Sequence, residues 1–301
     1  MKDNLSIEVI LQQKSLFEKP LPLEVLLGEE LQYGSFEGLH LVLGKVNKQG
    51  FVAYHKDHLA RGIRVTWQEE ETKGIKCFLP IPTCEEEIHD LFQMVLRVLK
   101  YWTCSITMNG TLMTSNEFKN MEEETVLFNL RTLHEVSKEV LNEEKGILSL
   151  SCAMHRLCIG AKEADHFWSG TNTNEFRNWM HTLQALPAYV AEPQILSDEE
   201  DSFVAVYTIP SGVPLILTSK PELPLNYYDL KTGKPNITIT SWNVRYYDPQ
   251  SESVLGTASY KRFLESLPIE KTHDYDGGHI YVNELTRKEL ELLASLSDQH
   301  E

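Results

Sequence analysis

The chain has 301 residues, the length of one large domain or of two domains of ordinary size. Apolar residues make up 42% and charged residues 24%, which excludes collagen-like, low-complexity and wholly disordered chains. Acidic residues outnumber basic ones by 44 to 28, so the formal net charge is −16, shared almost evenly between the two halves. Because such a surface repels phosphate, we expect no binding to nucleic acid or to an anionic membrane, whereas a basic protein partner would be attracted.

The cysteines and the first residues predict a cytoplasmic protein. There are five cysteines, an odd number, and no two have the spacing C-x-x-C. The opening residues, MKDNLSIEVILQQK, do not resemble a secretory signal, and no window approaches the roughly 18 apolar residues of a membrane-spanning helix. We therefore expect reduced thiols in a reducing compartment and no transmembrane segment.

In the first half of the chain, alternating apolar residues predict strands at 5–12, 39–43 and 51–54 and a hairpin over 62–81. Thr83 and Glu86 have the T-x-x-E spacing of a capping box, which predicts the start of a helix with an apolar stripe from Ile88 to Leu99. A second hairpin over 105–113 is predicted to turn at 109–110. A second capping box, Thr114 and Glu117, predicts one long helix.

The second half continues this pattern. A strand-like run covers 147–159 and a helix is predicted over 176–183. Seven of the thirteen prolines fall between 187 and 235, a stretch that we interpret as irregular apart from strands at 203–209 and 213–217. Further elements are predicted as a strand over 237–247, a helix over 260–267, a strand over 279–282, and a last helix that begins at the capping box of Thr286 and Glu289.

A unit of two strands followed by an amphipathic helix recurs at 62–101, 147–186 and 237–267. Hairpins followed by helices indicate an α+β fold with mostly antiparallel sheets. The Pro-rich stretch suggests a boundary between two parts of the chain. Residues 1–186 would form an N-terminal α+β subdomain, and residues 187–301 would contain the Pro-rich connection and a C-terminal α+β subdomain. One continuous domain with a long surface excursion is the alternative.

Several phrases distributed along the chain carry a family resemblance. They are LPLEVLLGEELQYG (21–34), ARGIRVTW (60–67), LPIPTCEEEIHDLF (79–92), LSLSCAMHRLCIG (148–160), AYVAEP (188–193), ITSWNVRYYD (239–248) and DYDGGHIYV (274–282). Together they resemble a bacterial family known as domain of unknown function 4299, over nearly the whole chain. The resemblance implies an uncharacterised bacterial protein and supplies no catalytic residues.

The sequence contains none of the usual phosphate-loop, dinucleotide-binding, serine-hydrolase or H-E-x-x-H zinc motifs. Its densest group of potential metal ligands is His273, Asp274, Asp276 and His279, where two glycines could fold one histidine back toward the other. The alternative is a polar turn before a strand, since turns favour Asp and Gly for backbone reasons alone.

Two smaller groups of potential site residues have simpler interpretations. His55 and His58 have an H-x-x-H spacing that can share a metal, but we interpret them as part of a surface loop. Cys152 and Cys158 flank His155, but we interpret them as buried small hydrophobes.

Three runs of three glutamates stand at 69–71, 85–87 and 122–124. They could bind a metal or a basic partner only if the fold brought them together. A glutamate run in the first turn of a helix is also favoured by the helix dipole alone. We therefore interpret the three runs as solvated faces.

Aromatic residues suggest a partner-binding surface. Tyr227, Tyr228, Trp242, Tyr246 and Tyr247 could line a groove, because tyrosine and tryptophan give large contact areas at low entropic cost. Packing in a core or on a sheet face is the alternative.

The preferred hypothesis is a cytoplasmic, non-enzymatic protein-binding module that engages a protein with a basic surface and uses no cofactor. A metal-dependent enzyme centred on His273, Asp274, Asp276 and His279 is the first alternative. A small-ligand sensor is the second.

Overall fold

The computed structural model describes residues 5–14, 20–37, 40–67, 74–143, 146–197, 202–224, 227–229 and 234–298. The chain divides into two compact units, Met1–Leu186 (the first unit) and Pro187–Glu301 (the second unit). That these units are separate subdomains stays a prediction. Eight α-helices and eighteen strands, mostly antiparallel, occupy the described residues and confirm the α+β fold class. Among these residues no helix is both long and apolar enough to cross a membrane.

The first unit is built on an antiparallel sheet of eight strands. They are β1 (Ser6–Gln13), β2 (Leu31–Glu37), β3 (His40–Leu43), β4 (Phe51–His55), β5 (Ile63–Trp67), β6 (Gly74–Pro80), β7 (Cys104–Met108) and β8 (Thr111–Met113). Their order across the sheet is β3-β2-β4-β5-β6-β1-β7-β8. β1 therefore lies near the middle, where its alternate residues Ile7, Val9 and Leu11 are fully buried as the period of a strand requires.

The remaining elements of the first unit are mostly helical. They are α1 (Leu23–Leu27), α2 (Glu85–Tyr101), α3 (Ser115–Asn120), α4 (Glu122–Asn142), a small hairpin of β9 (Leu148–Leu150) and β10 (Leu157–Ile159), α5 (Ala161–Phe167) and α6 (Asn174–Gln184). The apolar stripe predicted for α2 packs in the same core as the central strands, with Ile88, Leu91, Phe92 and Val95 completely buried. α2 is therefore fixed along its length, which holds its polar first turn in place.

Two of the three predicted capping boxes form. At α3 the Glu117 N–H donates to the Thr114 hydroxyl and the Thr114 N–H to the Glu117 carboxylate, and Thr286 and Glu289 exchange the same bonds. The third prediction, at Thr83, is wrong because α2 begins one residue later, with Cys84 as the N-cap.

The long helix predicted from Thr114 is also corrected. α3 ends at Asn120 and α4 begins at Glu122, with Met121 between them. The break separates one short capped turn from a helix of 21 residues.

The hairpin-then-helix unit recurs as predicted. β5 and β6 are antiparallel and lead into α2, and β9 and β10 lead into α5 and α6. In the second unit β15 (Ile239–Asp248) pairs antiparallel with β16 (Ser253–Ser259), and α7 (Tyr260–Ser266) follows.

The second unit contains two four-stranded sheets. Its other elements are β11 (Tyr189–Val190), β12 (Pro193–Ser197), β13 (Phe203–Pro210), β14 (Leu215–Thr218), β17 (Thr272–Asp274), β18 (His279–Val282) and α8 (Arg287–Asp298). The strand orders are β11-β14-β18-β17 and β12-β13-β15-β16, in which the pairs β11–β14 and β13–β15 are parallel. The core of this unit includes the buried rings of Tyr207, Tyr246, Tyr260 and Phe263.

Candidate functional site

A groove of about 1140 Å³ in the first unit, the acidic groove, brings polar side chains from several elements together. Its described lining residues are Glu30, His55, His58, Glu85, Glu86, His89, Asp90, Lys119, Asn120, Glu122, Glu123 and Val126. The described lining thus contains six carboxylates and three imidazoles but only one lysine. The ratio of acidic to basic residues is therefore higher in this lining than in the whole chain.

The first turns of two helices supply most of the negative charge. α2 opens with Glu85, Glu86 and Glu87, and α4 opens with Glu122, Glu123 and Glu124. Carboxylates are favoured at these positions because the N-terminal end of a helix carries a partial positive charge. The structure brings the first two glutamates of each run to one groove, so the two runs converge, which the interpretation of them as solvated faces did not anticipate. The run at 69–71 lies outside the described residues.

His58 is held against α2 by Asp90. The His58 Nε2 atom lies 2.8 Å from Asp90 Oδ2, and the two side chains are only 17% and 10% exposed. Burial lowers the pKa of His58, but the hydrogen bond and charge of Asp90, together with the charges of Glu86 and Glu87, outweigh it. The pKa of His58 is therefore raised above its ordinary value, and this imidazole favours the protonated state.

His55 lies directly on His58. The two imidazole rings are stacked, with centroids 3.9 Å apart and planes within 9°. The backbone N–H of Asp57 donates to His55 Nδ1 at 3.1 Å, which fixes the orientation of this ring. The stacking therefore places the ring of His55 directly on an imidazole that favours protonation.

The segment that carries His58 is anchored by a buried carboxylate. Glu87 accepts hydrogen bonds from the backbone N–H groups of Arg61 at 3.0 Å and Gly62 at 2.6 Å, and from the Thr83 hydroxyl. Burial raises the pKa of Glu87, and these three donors partly offset that effect. The segment is also tied to α6, since the Leu59 N–H donates to His181 Nδ1 at 3.2 Å.

Some carboxylates of the acidic groove are already paired and others are not. Glu122 accepts from His89 Nδ1 at 2.7 Å, and Glu86 forms an ion pair with Arg177 of α6. Glu30, Glu85 and Glu123 are exposed and form no ion pair with a described residue. An incoming cation can therefore contact these three carboxylates without displacing an ion pair between described residues.

The acidic groove is not a preassembled metal site. Among the residues that the structure describes, no three potential ligand atoms of the groove lie within 4.8 Å of one another. The arrangement instead presents distributed negative charge over a volume much larger than one ion.

The predicted metal ligands of the second unit are only partly brought together. Asp276 Oδ1 accepts from His279 Nδ1 and from the backbone N–H groups of Gly278 and His279, all at 2.8 Å. His273 Nε2 instead lies 3.0 Å from Asn283 Nδ2, and Asp274 pairs with Ile280 across β17 and β18. Asp276 thus organises the turn before β18, and the metal hypothesis stays a prediction.

The predicted partner-binding aromatic residues are also separated. Tyr246 is 1% exposed and belongs to the core of the second unit, which corrects the expectation that it lines a surface. Tyr228 and Trp242 line a groove of about 500 Å³ together with prolines and aliphatic side chains. Tyr227 and Tyr247 are half-buried outside that groove. Their role in binding stays a prediction.

Comparison with known proteins concerns the whole chain. A family model described as domain of unknown function (DUF4299) matches residues 6–293. The chain belongs to this family. No curated protein and no solved structure matches it.

The match includes every residue that lines the acidic groove of this DUF4299 member. The spacing of His55 and His58 is visible in the sequence, but no local pattern indicates that His89 and Asp90 lie beside them. The available signals were two glutamate runs, one at the start of a predicted helix and one inside the long helix predicted from Thr114. They become informative only when the helices are known to meet.

Proposed function

We propose that this protein is a binding module whose acidic groove takes a Lys/Arg-rich segment of a partner protein. The observation that carries the proposal is the lining of the groove, in which six carboxylates and three histidines accompany one lysine. A single exposed ion pair contributes about 0–1 kcal/mol, so several pairs acting together are needed for useful affinity. The six carboxylates of the groove allow several such ion pairs to form on one surface.

The size of the groove supports a segment of polypeptide as its occupant. Its volume of about 1140 Å³ exceeds the space that one metal ion fills and lies just above the usual range for small-molecule pockets. The net charge of −16 adds long-range attraction for a basic partner. Both features favour an extended cationic ligand.

The test is binding of a fluorescein-labelled hexalysine peptide, followed by fluorescence anisotropy. The groove variant E30Q/E85Q/E123Q removes three carboxylates that form no ion pair with a described residue. We expect its affinity to fall about tenfold, since three contacts of about 0.5 kcal/mol each sum to roughly the 1.4 kcal/mol of one decade. Higher salt is expected to weaken wild-type binding because exposed charges are screened.

The matched control is E135Q/E139Q/E143Q, which removes the same charge from exposed positions in the second half of α4 and at its C-cap. Its affinity is expected to stay within about twofold of wild type. Equal losses in both variants would overturn the proposal, because binding would then report net charge alone. Equally tight binding of free spermidine would overturn the assignment to a protein partner.

A further inference from the structure

The outward face of α4 next to the acidic groove exposes two large apolar side chains. Leu127 is 55% exposed and Phe128 is 43% exposed. A second concavity of about 450 Å³ follows this face and is lined by Asn120, Glu123, Glu124, Leu127, Leu130, Arg131 and His134. Large exposed apolar side chains beside a charged groove are typical of an interaction surface.

The inner face of α4 carries polar as well as apolar residues. The helix buries polar residues, including Thr125, Asn129 and Thr132, while it exposes leucine and phenylalanine. Asn129 pairs with both backbone groups of Thr83, at 2.8 and 2.9 Å, so the inner face is committed to hydrogen bonding. α4 also buries Leu133 and Val140, whereas its packing in the first unit leaves Leu127 and Phe128 uncovered.

The two concavities are continuous. Asn120 and Glu123 line both the acidic groove and the concavity along α4. Beyond Glu123, the residues Leu127, Leu130 and His134 follow at spacings of four, three and four. This is the repeat with which one helix packs along another.

We propose that the partner segment is a basic amphipathic helix, whose Lys/Arg side chains enter the acidic groove and whose apolar side chains pack on Leu127 and Leu130. This rests on the function proposed above and adds the apolar half of the interface. Charge complementarity selects such a helix over a second copy of this chain, because two copies with a net charge of −16 repel each other.

The test compares two synthetic peptides of identical Lys/Leu composition, one ordered so that leucines form a helical stripe and one scrambled. We expect the amphipathic peptide to bind wild type about tenfold more tightly, since burying one or two exposed leucine side chains contributes that much. The variant L127S is expected to remove this advantage and to leave binding of the scrambled peptide unchanged. The matched control L112S alters a leucine that is 71% exposed on β8 and is expected to behave as wild type.

The outcomes separate the two proposals. Equal affinity for both peptides would overturn the amphipathic helix and leave the basic segment standing, whereas binding of neither peptide would overturn both. A dimer detected by sedimentation velocity and lost in L127S would assign the surface to a second copy and overturn the proposed partner.

Discussion

His58 Nε2 lies 2.8 Å from Asp90 Oδ2, joining the segment after β4 to the second turn of α2 across 32 residues of sequence. The pair stands at the wall of the acidic groove with His55 stacked on its imidazole. The contact that holds this wall of the groove against α2 therefore depends on the protonation of His58.

The first prediction concerns this pair. Because the pKa of His58 is raised in the folded state, its protonation stabilises the fold; the contribution is fully present below the ordinary pKa of 6.5 and lost as the pH rises through the raised value. D90N is expected to lower the free energy of unfolding by about 2 kcal/mol at pH 5.5, as a hydrogen bond to a charged group contributes. The loss is expected to be smaller at pH 8. Urea denaturation at both values measures it.

H89Q is the control for that experiment. His89 pairs with Glu122 in the same groove, but its side chain is 58% exposed. Solvent screens this pair, so we expect a change below about 1 kcal/mol at either pH. A D90N effect that does not depend on pH would contradict the role of His58 protonation.

The second prediction concerns Glu87, which holds the segment after β4. E87A leaves the Arg61 and Gly62 N–H groups without their acceptor and is expected to cost about 3 kcal/mol. Burial raises the pKa of Glu87, so in wild type this group's contribution to stability decreases as the pH rises from 4.5 through the raised value. That slope is expected to disappear in E87A. Hydrogen exchange of the Arg61 and Gly62 amides reports the local loosening, and E85A, at an exposed position, is expected to leave it unchanged.

Local pattern was enough to predict several elements of the fold. The stripe from Ile88 to Leu99 gave α2, and the Asn109-Gly110 turn between β7 and β8 has positive φ at both residues, as this dipeptide favours. The second strand of the unit at 237–267, β16, could not be given bounds because its sequence SVLGTAS has weak strand propensity and is held by pairing with β15. α5 was missed although Glu163 accepts a hydrogen bond from the Gly160 N–H at the helix start.

The acidic groove could not be predicted because its walls come from distant parts of the chain. Glu30, His58, Asp90 and Glu123 approach one another only after the sheet and α2 are packed. Local sequence explains why glutamates open α2 and α4, but not that the two openings meet.

The third prediction compares two glycines with left-handed backbone. A Cβ at Gly50 (φ +111°) would lie 1.9 Å from the Val65 carbonyl oxygen, whereas at Gly44 (φ +69°) no heavy atom of the described residues lies within 4 Å. G44A is expected to cost about 1 kcal/mol for its backbone alone, and G50A about 3 kcal/mol or more. Chemical denaturation of both variants measures the difference. Equal effects would mean that β5 moves to accept the methyl group.

The last prediction concerns the turn before β18. Asp276 Oδ1 accepts three hydrogen bonds, two from backbone N–H groups and one from His279, and its side chain is fully buried. D276A is therefore expected to lower the free energy of unfolding by about 2 kcal/mol, while D276N, which keeps the accepting oxygen, is expected to lose less. Metal content, measured by mass spectrometry on protein purified without an affinity tag, is expected to be equal in wild type and D276A. Stoichiometric metal that is lost in D276A and in H279A would instead show that this turn is a metal site, with the hydrogen bonds of Asp276 as its resting arrangement.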